Sequence, residues 1–360
     1  MAKSKTEAEH PTLPTHGAPS LPSVQVDSYN LAIEDEAGFV GDKATKSAFR
    51  ALLEDARNSL RASGSDPLGS KASDEISKKK LDALLAKGEA EAGAVVQSAV
   101  EKFAGQLAAV ISRFLRQKTW RKTERIIVGG GLRASRVGEL AIARACILLK
   151  EAGTDIYVVG PIHNQPDEAG LIGTAHLLTP WMVKGHDAML AVDVGGTNIR
   201  AGTVALNAGK ARDLSKASVL DIEALRHRDE DQLDRDEAVK RLSGMLKKLA
   251  KDAARNNLRL APVIGVGCPG LIREDGSIET GAQNLPGNWQ SSRFNLPRAL
   301  REEIPRIGEH ETMVVMHNDA VVQGLSELPH VEARRWAVLT IDTGLGNARF
   351  SMRSKKKPKH

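Results

Sequence analysis

The spacing of apolar residues changes character near residue 125. Upstream of that point it is helical. Val96, Val100, Phe103, Leu107, Val110, Ile111 and Phe114 step by threes and fours, which predicts a long helix over about 90–116 with one buried stripe. A shorter helix is predicted around 46–61, followed by a loop over 63–71, where Ser, Gly and Pro are concentrated. Residues 28–41 read as a hairpin, because Tyr29, Leu31 and Ile33 alternate and Gly38 precedes Phe39 and Val40 in turn position. Residues 1–22 are polar and proline-rich and read as a disordered arm.

Downstream of residue 125, short apolar runs alternate with helical spacing. A strand at 126–128 runs into Gly129-Gly130-Gly131 and a helix whose inward positions are Leu140, Ile142, Ala145 and Leu149. A strand at 156–159 follows. A second region of this texture opens at Met189, with a strand into Gly195-Gly196, a return strand over 202–206 and a helix near 236–252 on Val239, Leu242, Leu246 and Leu249. Strands recur at 263–266, 313–316 and 337–341. Strand, glycine turn and helix in this order predict an α/β protein, and 360 residues are enough for two lobes.

Composition narrows the classes of function. No run approaches the roughly 20 apolar residues of a membrane helix, and the polar start lacks the apolar core of a secretory signal, so the cytoplasm is the expected compartment. Cys146 and Cys268 are the only cysteines, too few for a four-cysteine zinc site. The net charge of +6 hints at a nucleic-acid partner. Its position removes that hint. Arg353, Lys355, Lys356, Lys357 and Lys359 in the basic tail 351–360 carry nearly all of it, and six Phe, four Trp and two Tyr offer little for base stacking. No nucleic acid and no membrane are expected as partners.

Several segments carry candidate chemistry. Gly129-Gly130-Gly131-Leu132-Arg133-Ala134 fits G-x-G-x-x-A between strand and helix, and Glu151 lies 20 residues after Gly131. A dinucleotide turn, another nucleotide-contacting turn and a purely structural one all remain open there. In Asp193-Val194-Gly195-Gly196-Thr197 a buried strand delivers an acid, and then two glycines whose backbone N–H groups can face phosphate oxygens. The carboxylate is suited to holding magnesium, usually through water. The layout recurs at Asp342-Thr343-Gly344-Leu345-Gly346. Between the two, a strand ends at His317-Asn318-Asp319, where Asp319 is placed either to accept a hydroxyl proton or to cap a helix. Cys268-Pro269-Gly270 ends another strand. The loop Asn284-Leu285-Pro286-Gly287-Asn288-Trp289 offers amides for hydroxyls and a tryptophan for a sugar face.

Together these motifs resemble the bacterial glucokinases and the ROK sugar kinases of the actin-like ATPase superfamily, whose core is ribonuclease H-like. The resemblance identifies residues 193–202 with the family's first phosphate motif and residues 343–346 with the second. Pro269, Gly270 and 284–289 match its sugar-side segments, Asn318-Asp319 its catalytic pair, Gly129–Gly131 its adenosine loop, and 167–177 its closing segment. The order differs, since adenosine loop and closing segment normally follow the second phosphate loop. The chain therefore resembles a circularly permuted member, with the usual C-terminal half at 23–187 and the usual N-terminal half at 188–350. This reading expects residues near 25 and 350 to meet in space.

The resemblance implies a two-lobed sugar kinase that transfers the γ-phosphoryl group of ATP to a hexose, glucose first, with polyphosphate as the other donor to consider. It places Asp319 as the base and Asn284, Asn318, Pro269 and Gly270 around the sugar. Gly195, Gly196, Thr197, Thr343, Gly344 and Gly346 would hold the phosphates, Gly130 and Gly131 the adenosine, and Asp193 the Mg2+. The family's cysteine cluster is missing, so no zinc is expected, and a homodimer is compatible with the resemblance. Asp342 stands where the family has glycine, and a carboxylate there repels phosphate unless it binds metal or turns away. A catalytically weak, sugar-binding regulatory relative is one alternative, and an oxidoreductase built on Gly129-Gly130-Gly131 is the other.

Overall fold

A computed structural model describes residues 14–353 apart from 37, 155 and 162. The chain enters through β1 (Val24–Tyr29), a small hairpin of β2 (Glu34–Asp35) and β3 (Gly38–Phe39), and the helices α1 (Lys46–Arg61), α2 (Lys78–Lys87) and α3 (Ala90–Arg116). Then come β4 (Arg125–Gly129), α4 (Arg136–Glu151), β5 (Tyr157–Pro161), α5 (Pro166–Thr174) and the short α6 (Pro180–Val183). A meander β6 (Ala188–Val194), β7 (Ile199–Ala205) and β8 (Ser218–Leu225) leads to α7 (Arg235–Arg255), β9 (Leu260–Cys268) and α8 (Leu296–Glu303). The chain closes with the hairpin β10 (Arg306–Ile307) and β11 (His310–Glu311), then β12 (Met313–Asn318), α9 (Asp319–Leu325), β13 (Arg335–Ile341) and β14 (Leu345–Met352).

Two five-stranded sheets organise the molecule, in the orders β12-β9-β6-β7-β8 and β1-β14-β13-β4-β5. In the first, β6, β7 and β8 form an antiparallel meander, with β9 parallel to β6 and β12 parallel to β9. The second repeats the plan: β13, β14 and β1 run antiparallel, β4 lies parallel to β13 and β5 parallel to β4. This is the doubled ribonuclease H-like plan of an actin-like α/β fold. In the second sheet the third strand of the meander comes from the other end of the chain. Val24 faces Met352 and Val26 faces Phe350, so residues near 25 and 350 do meet.

Period-2 alternation in the strands sorts side chains into three apolar layers. Ile126, Val128, Ala337 and Leu339 face α1, α3 and α4 on one outer side. Ile127, Trp336, Val338 and Phe350 face inward, where α5 and α9 lie between the sheets against Met189, Ala191 and Val263. Leu190, Val192 and Val266 face α7 and α8 on the other outer side. The predicted stripe of α3 is buried along its whole length. The loop over 63–71 is pinned by the buried Arg57, which donates to Ser73 Oγ and to the carbonyls of Gly69 and Lys71 and pairs with Asp66.

Two expectations change. Residues 14–22 are no loose arm: Ala18 and Leu21 are buried, Gly17 N donates to the Met316 carbonyl at 2.9 Å, and Met316 N donates to His16 Nδ1. Apolar residues spaced between prolines can pack without forming regular structure, so periodicity gave no signal. Residues 1–13 of the arm and 354–360 of the basic tail lie outside the described residues. The hairpin expected over 28–41 is shorter, because Tyr29 belongs to β1 and Asn30 turns the chain out of the sheet at φ +49°.

Candidate active site

The two glycine-rich turns occupy equivalent places, each joining the first and second strands of a meander. Gly195 N donates to the Asn198 carbonyl at 2.9 Å and closes the β6–β7 turn; Asp342 N donates to the Gly344 carbonyl at 3.0 Å and closes the β13–β14 turn. Because the sheets face each other, the turns do too, and Thr197 Oγ1 lies 3.3 Å from Thr343 Oγ1. Between the lobes opens a cleft of about 450 Å³. Gly130, Gly131, Asp193, Gly195, Gly196, Pro269, Gly270, Asn284, Asp319, Thr343, Gly344 and Gly346 all line it. Residues separated by more than 200 positions in sequence thus share one cavity.

Two carboxylates set its electrostatics. Asp193, at the end of the wholly buried β6, is 3% exposed. Burial pushes its pKa up to about 6, against the pull of Arg200 and with the help of Asp342 and Asp167. Arg200 Nη1 is 3.5 Å from its Oδ2, while Oδ1 is buried without any hydrogen-bond partner among the described residues. Asp319 opens α9 and is half-buried at the cleft wall. Burial raises its pKa to about 7, and the charge of Asp193 adds to the shift. An aspartate held near neutrality in a cleft is poised to exchange a proton.

Its neighbours hold it there. Asn318 caps α9, with its side-chain oxygen accepting from Ala320 N at 3.0 Å and Val321 N at 3.3 Å. Its amide donates to the Gly270 carbonyl at 3.0 Å. Asn318 is 2% exposed and stands behind the cleft wall, where it caps α9 and ties it to Gly270 beside the cleft. The helix cap falls to Asn318, while the Asp319 carboxylate lies on the cleft wall and accepts from the backbone N–H groups of Ala320 and of Asp319 itself, which oppose the rise caused by burial. His317 is buried between the Ala18 carbonyl and Asn318 N, and burial lowers its pKa to about 4, so it is a neutral structural ring. Trp289 corrects one expectation. It is 1% exposed, donates to the Pro286 carbonyl at 2.8 Å and meets Phe294 edge-on, so it fills the core beneath the loop while Asn284 reaches the cleft. Burial pushes the Cys268 thiol up, which leaves it inert.

On the opposite wall, Gly130 adopts φ +87°, and a Cβ there would stand 2.4 Å from the Ile341 carbonyl oxygen, so only glycine fits. Asp342 turns its carboxylate toward Gly131, whose Cβ position lies 3.4 Å from Oδ1. Lys46 N donates to the Asp342 carbonyl at 3.0 Å and Lys78 Nζ to the Gly131 carbonyl at 2.7 Å. The Asp342 backbone is thus anchored to Lys46, whose ammonium charge also acts on the added acid. The segment at 167–177 forms α5 and a following 3-10 turn, and Gly170 packs directly on Asp193, leaving 2.5 Å between a Cβ and the carboxyl carbon.

Sequence reasoning missed Arg200, which donates to Asp167 Oδ1 at 2.6 Å and so ties α5 to the strand that follows the β6–β7 turn. Its position one residue into β7 was the available signal. Asn30 and Asp42 also line the cleft. They come from the first 45 residues, where no motif points to a site.

No family model and no curated protein matches the chain. It is similar to the ROK hexokinase of Thermus thermophilus at 22% identity and a TM-score of 0.33, over 47% of this chain and 50% of that one. It is also similar to a ROK family glucokinase from Streptomyces griseus, solved in complex with glucose and AMPPNP, at 16% identity and a TM-score of 0.35, over 47% of each chain. The chain spans about half the length of these structures. Among the described residues, no helix is long and apolar enough to cross a membrane.

Proposed function

We propose that this chain is a sugar kinase of the ROK type that moves the γ-phosphoryl group of ATP to a hexose hydroxyl, with glucose as the first candidate. One observation carries the reading: two glycine–threonine turns, one from each sheet, converge to 3.3 Å on a cleft that also holds a carboxylate poised near neutrality, Asp319. Turn amides and threonine hydroxyls suit phosphate oxygens. Pro269, Gly270 and Asn284 lie on the Asp319 side, where the sugar binds; Gly130 and Gly131 lie on the other, where the adenosine binds.

The sugar oxygen attacks the γ-phosphorus while Asp319 takes its proton. The new O–P bond forms as the bond to the bridging β,γ-oxygen breaks, and that electron pair leaves with ADP. Positioning and charge neutralisation supply most of the acceleration. The orphaned Oδ1 of Asp193 fits a magnesium ion, which this carboxylate would hold through water. Such an ion would supply positive charge to the donor phosphates. Closure of the lobes excludes water and protects the donor from hydrolysis.

ADP release across a panel of hexoses tests the reading. Release that depends on one hexose, glucose foremost, is expected; a broad panel with no sugar-dependent release refutes it.

The order of the halves is part of the proposal: 23–187 and 188–350 correspond to the family's usual C-terminal and N-terminal halves, exchanged. Joining His360 to Met1 and opening the chain at Gly185 then yields a folded protein. Gly185 stands at φ +82° with nothing within 4 Å of its Cβ position. Circular dichroism and thermal melting close to those of the parent are expected; an unfolded product counts against the exchange.

A further inference from the structure

The cleft has a charge problem. Asp42, Asp167, Asp193, Asp319 and Asp342 line it, and Arg200 is the one basic residue among the lining residues described. Arg200 is moreover committed to Asp193 and Asp167. A chain of phosphates entering such a wall meets net repulsion that turn amides and one divalent ion offset only in part.

A second guanidinium stands at the rim. Directly after β8 the chain makes a 3-10 turn, His227–Asp229. His227 is buried, with its ring Nε2 2.8 Å from the Gly195 carbonyl oxygen, and Arg228 N donates to the Thr197 carbonyl at 3.3 Å. Both anchors lie on the first phosphate turn. From there Arg228 Nη1 donates to Thr343 Oγ1 of the second turn at 3.2 Å. The guanidinium therefore sits where the two turns meet. Among the described residues it has no carboxylate within ion-pair distance, whereas the neighbouring Arg226 pairs with Asp229 and Arg235 with Asp236. An exposed arginine that is held by its backbone at a phosphate turn, and bonded only to a hydroxyl, has most of its planar donor fork free. That fork matches phosphate oxygens.

We propose that Arg228 clamps the terminal phosphates of the phosphoryl donor and neutralises the charge that builds on them during transfer. The inference rests on the kinase reading and adds a catalytic residue to it. A nucleoside triphosphate and an inorganic polyphosphate offer the same terminal groups, so both serve as probes.

The test uses the full chain, with Arg228→Ala, Arg228→Lys and, as a control away from the turns, Arg226→Ala. Calorimetric titration with ATP, inorganic tripolyphosphate and adenosine is read beside steady-state transfer to the hexose found active. Arg228→Ala is expected to weaken ATP and tripolyphosphate at least tenfold, to leave adenosine binding unchanged and to lower kcat by about 10²–10³. Arg228→Lys should recover part of the affinity, and Arg226→Ala should match the wild type. Tripolyphosphate binding as tight as ATP would identify polyphosphate as the donor and keep the clamp. Wild-type transfer together with undiminished affinity and kcat in Arg228→Ala would overturn the clamp and leave the kinase reading standing. Phosphate binding that needs Arg228, with no hexose turned over, would sink the kinase reading and leave the clamp.

Discussion

On the proposed kinase reading, Asp319→Asn is expected to lower kcat for phosphoryl transfer by about 10²–10⁴ while hexose and ATP binding persist. The amide keeps the shape of the carboxylate and the Asn318 cap beside it, but it cannot take a proton. The wild type carries the matching signature in its pH profile. Asp319 must be ionised to act, and its pKa stands at about 7, so kcat/KM falls roughly tenfold per pH unit below that value and levels off above it. In Asp319→Asn the limb at about 7 disappears and only a lower one from Asp193, at about 6, can remain. Full activity in the variant, or an acid limb that stays at about 7, refutes Asp319 as the base.

The same carboxylate burdens the fold. A folded-state pKa raised above the ordinary aspartate value of 3.8 means that, between the two values, the folded chain keeps a proton that the unfolded chain has lost. Stability therefore declines as pH rises from about 4 to about 7, and the whole cost is present above 7. Asparagine carries no charge to bury. The variant melts a few degrees above the wild type at pH 8, and the gap closes as pH falls toward about 4. A loss of activity joined to a gain of stability separates a functional role from a structural one, because a structural aspartate gives a loss of both.

Much of this site was legible because its parts are short and local. A strand, two glycines and a threonine report a glycine-rich turn between strands whatever surrounds them, and both turns lie where the sequence places them. The long helix α3 declared itself through an unbroken stripe, since a helix that buries one face must repeat its apolar residues at that period. Three kinds of feature escaped. Packing between prolines at 14–22 leaves no period to read. β8 escaped as well, although Leu220-Asp221-Ile222-Glu223 alternates; as an edge strand it leaves Leu220 and Ile222 exposed and adds little to the core. Side-chain roles set by tertiary contact escaped too. Trp289 looked like a sugar platform by type, yet it is consumed by the core, and the helix cap made by Asn318 shows only once α9 is in place. Arg228, whose partner lies across the cleft, gave no local sign, and Arg200 offered only its place at the start of β7.

Gly173→Ala should be among the most damaging single substitutions outside the catalytic centre. α5 and α9 lie side by side between the sheets, and they approach so closely that a Cβ on Gly173 would stand 1.8 Å from the Val322 carbonyl oxygen and 3.2 Å from Ser326 N. Both obstacles are backbone, so no rotamer change relieves them and the helices must part. The layer they would open holds Leu171, Ala320, Val321 and Leu325, all buried. Overpacking at such a contact costs about 3 kcal/mol or more, which lowers Tm by roughly 5–10 °C. Activity falls with it, because α5 also sets Gly170 against Asp193 and Asp167 against Arg200. Gly244→Ala is the control. It lies in α7 with nothing within 4 Å of its Cβ position, so the same change there should stabilise by about 0.5–1 kcal/mol through the helix backbone alone. Thermal melting of the two variants side by side decides the matter. Equal Tm values would mean that α5 and α9 do not meet at Gly173, and the account of how α5 positions the cleft carboxylates would fall with them.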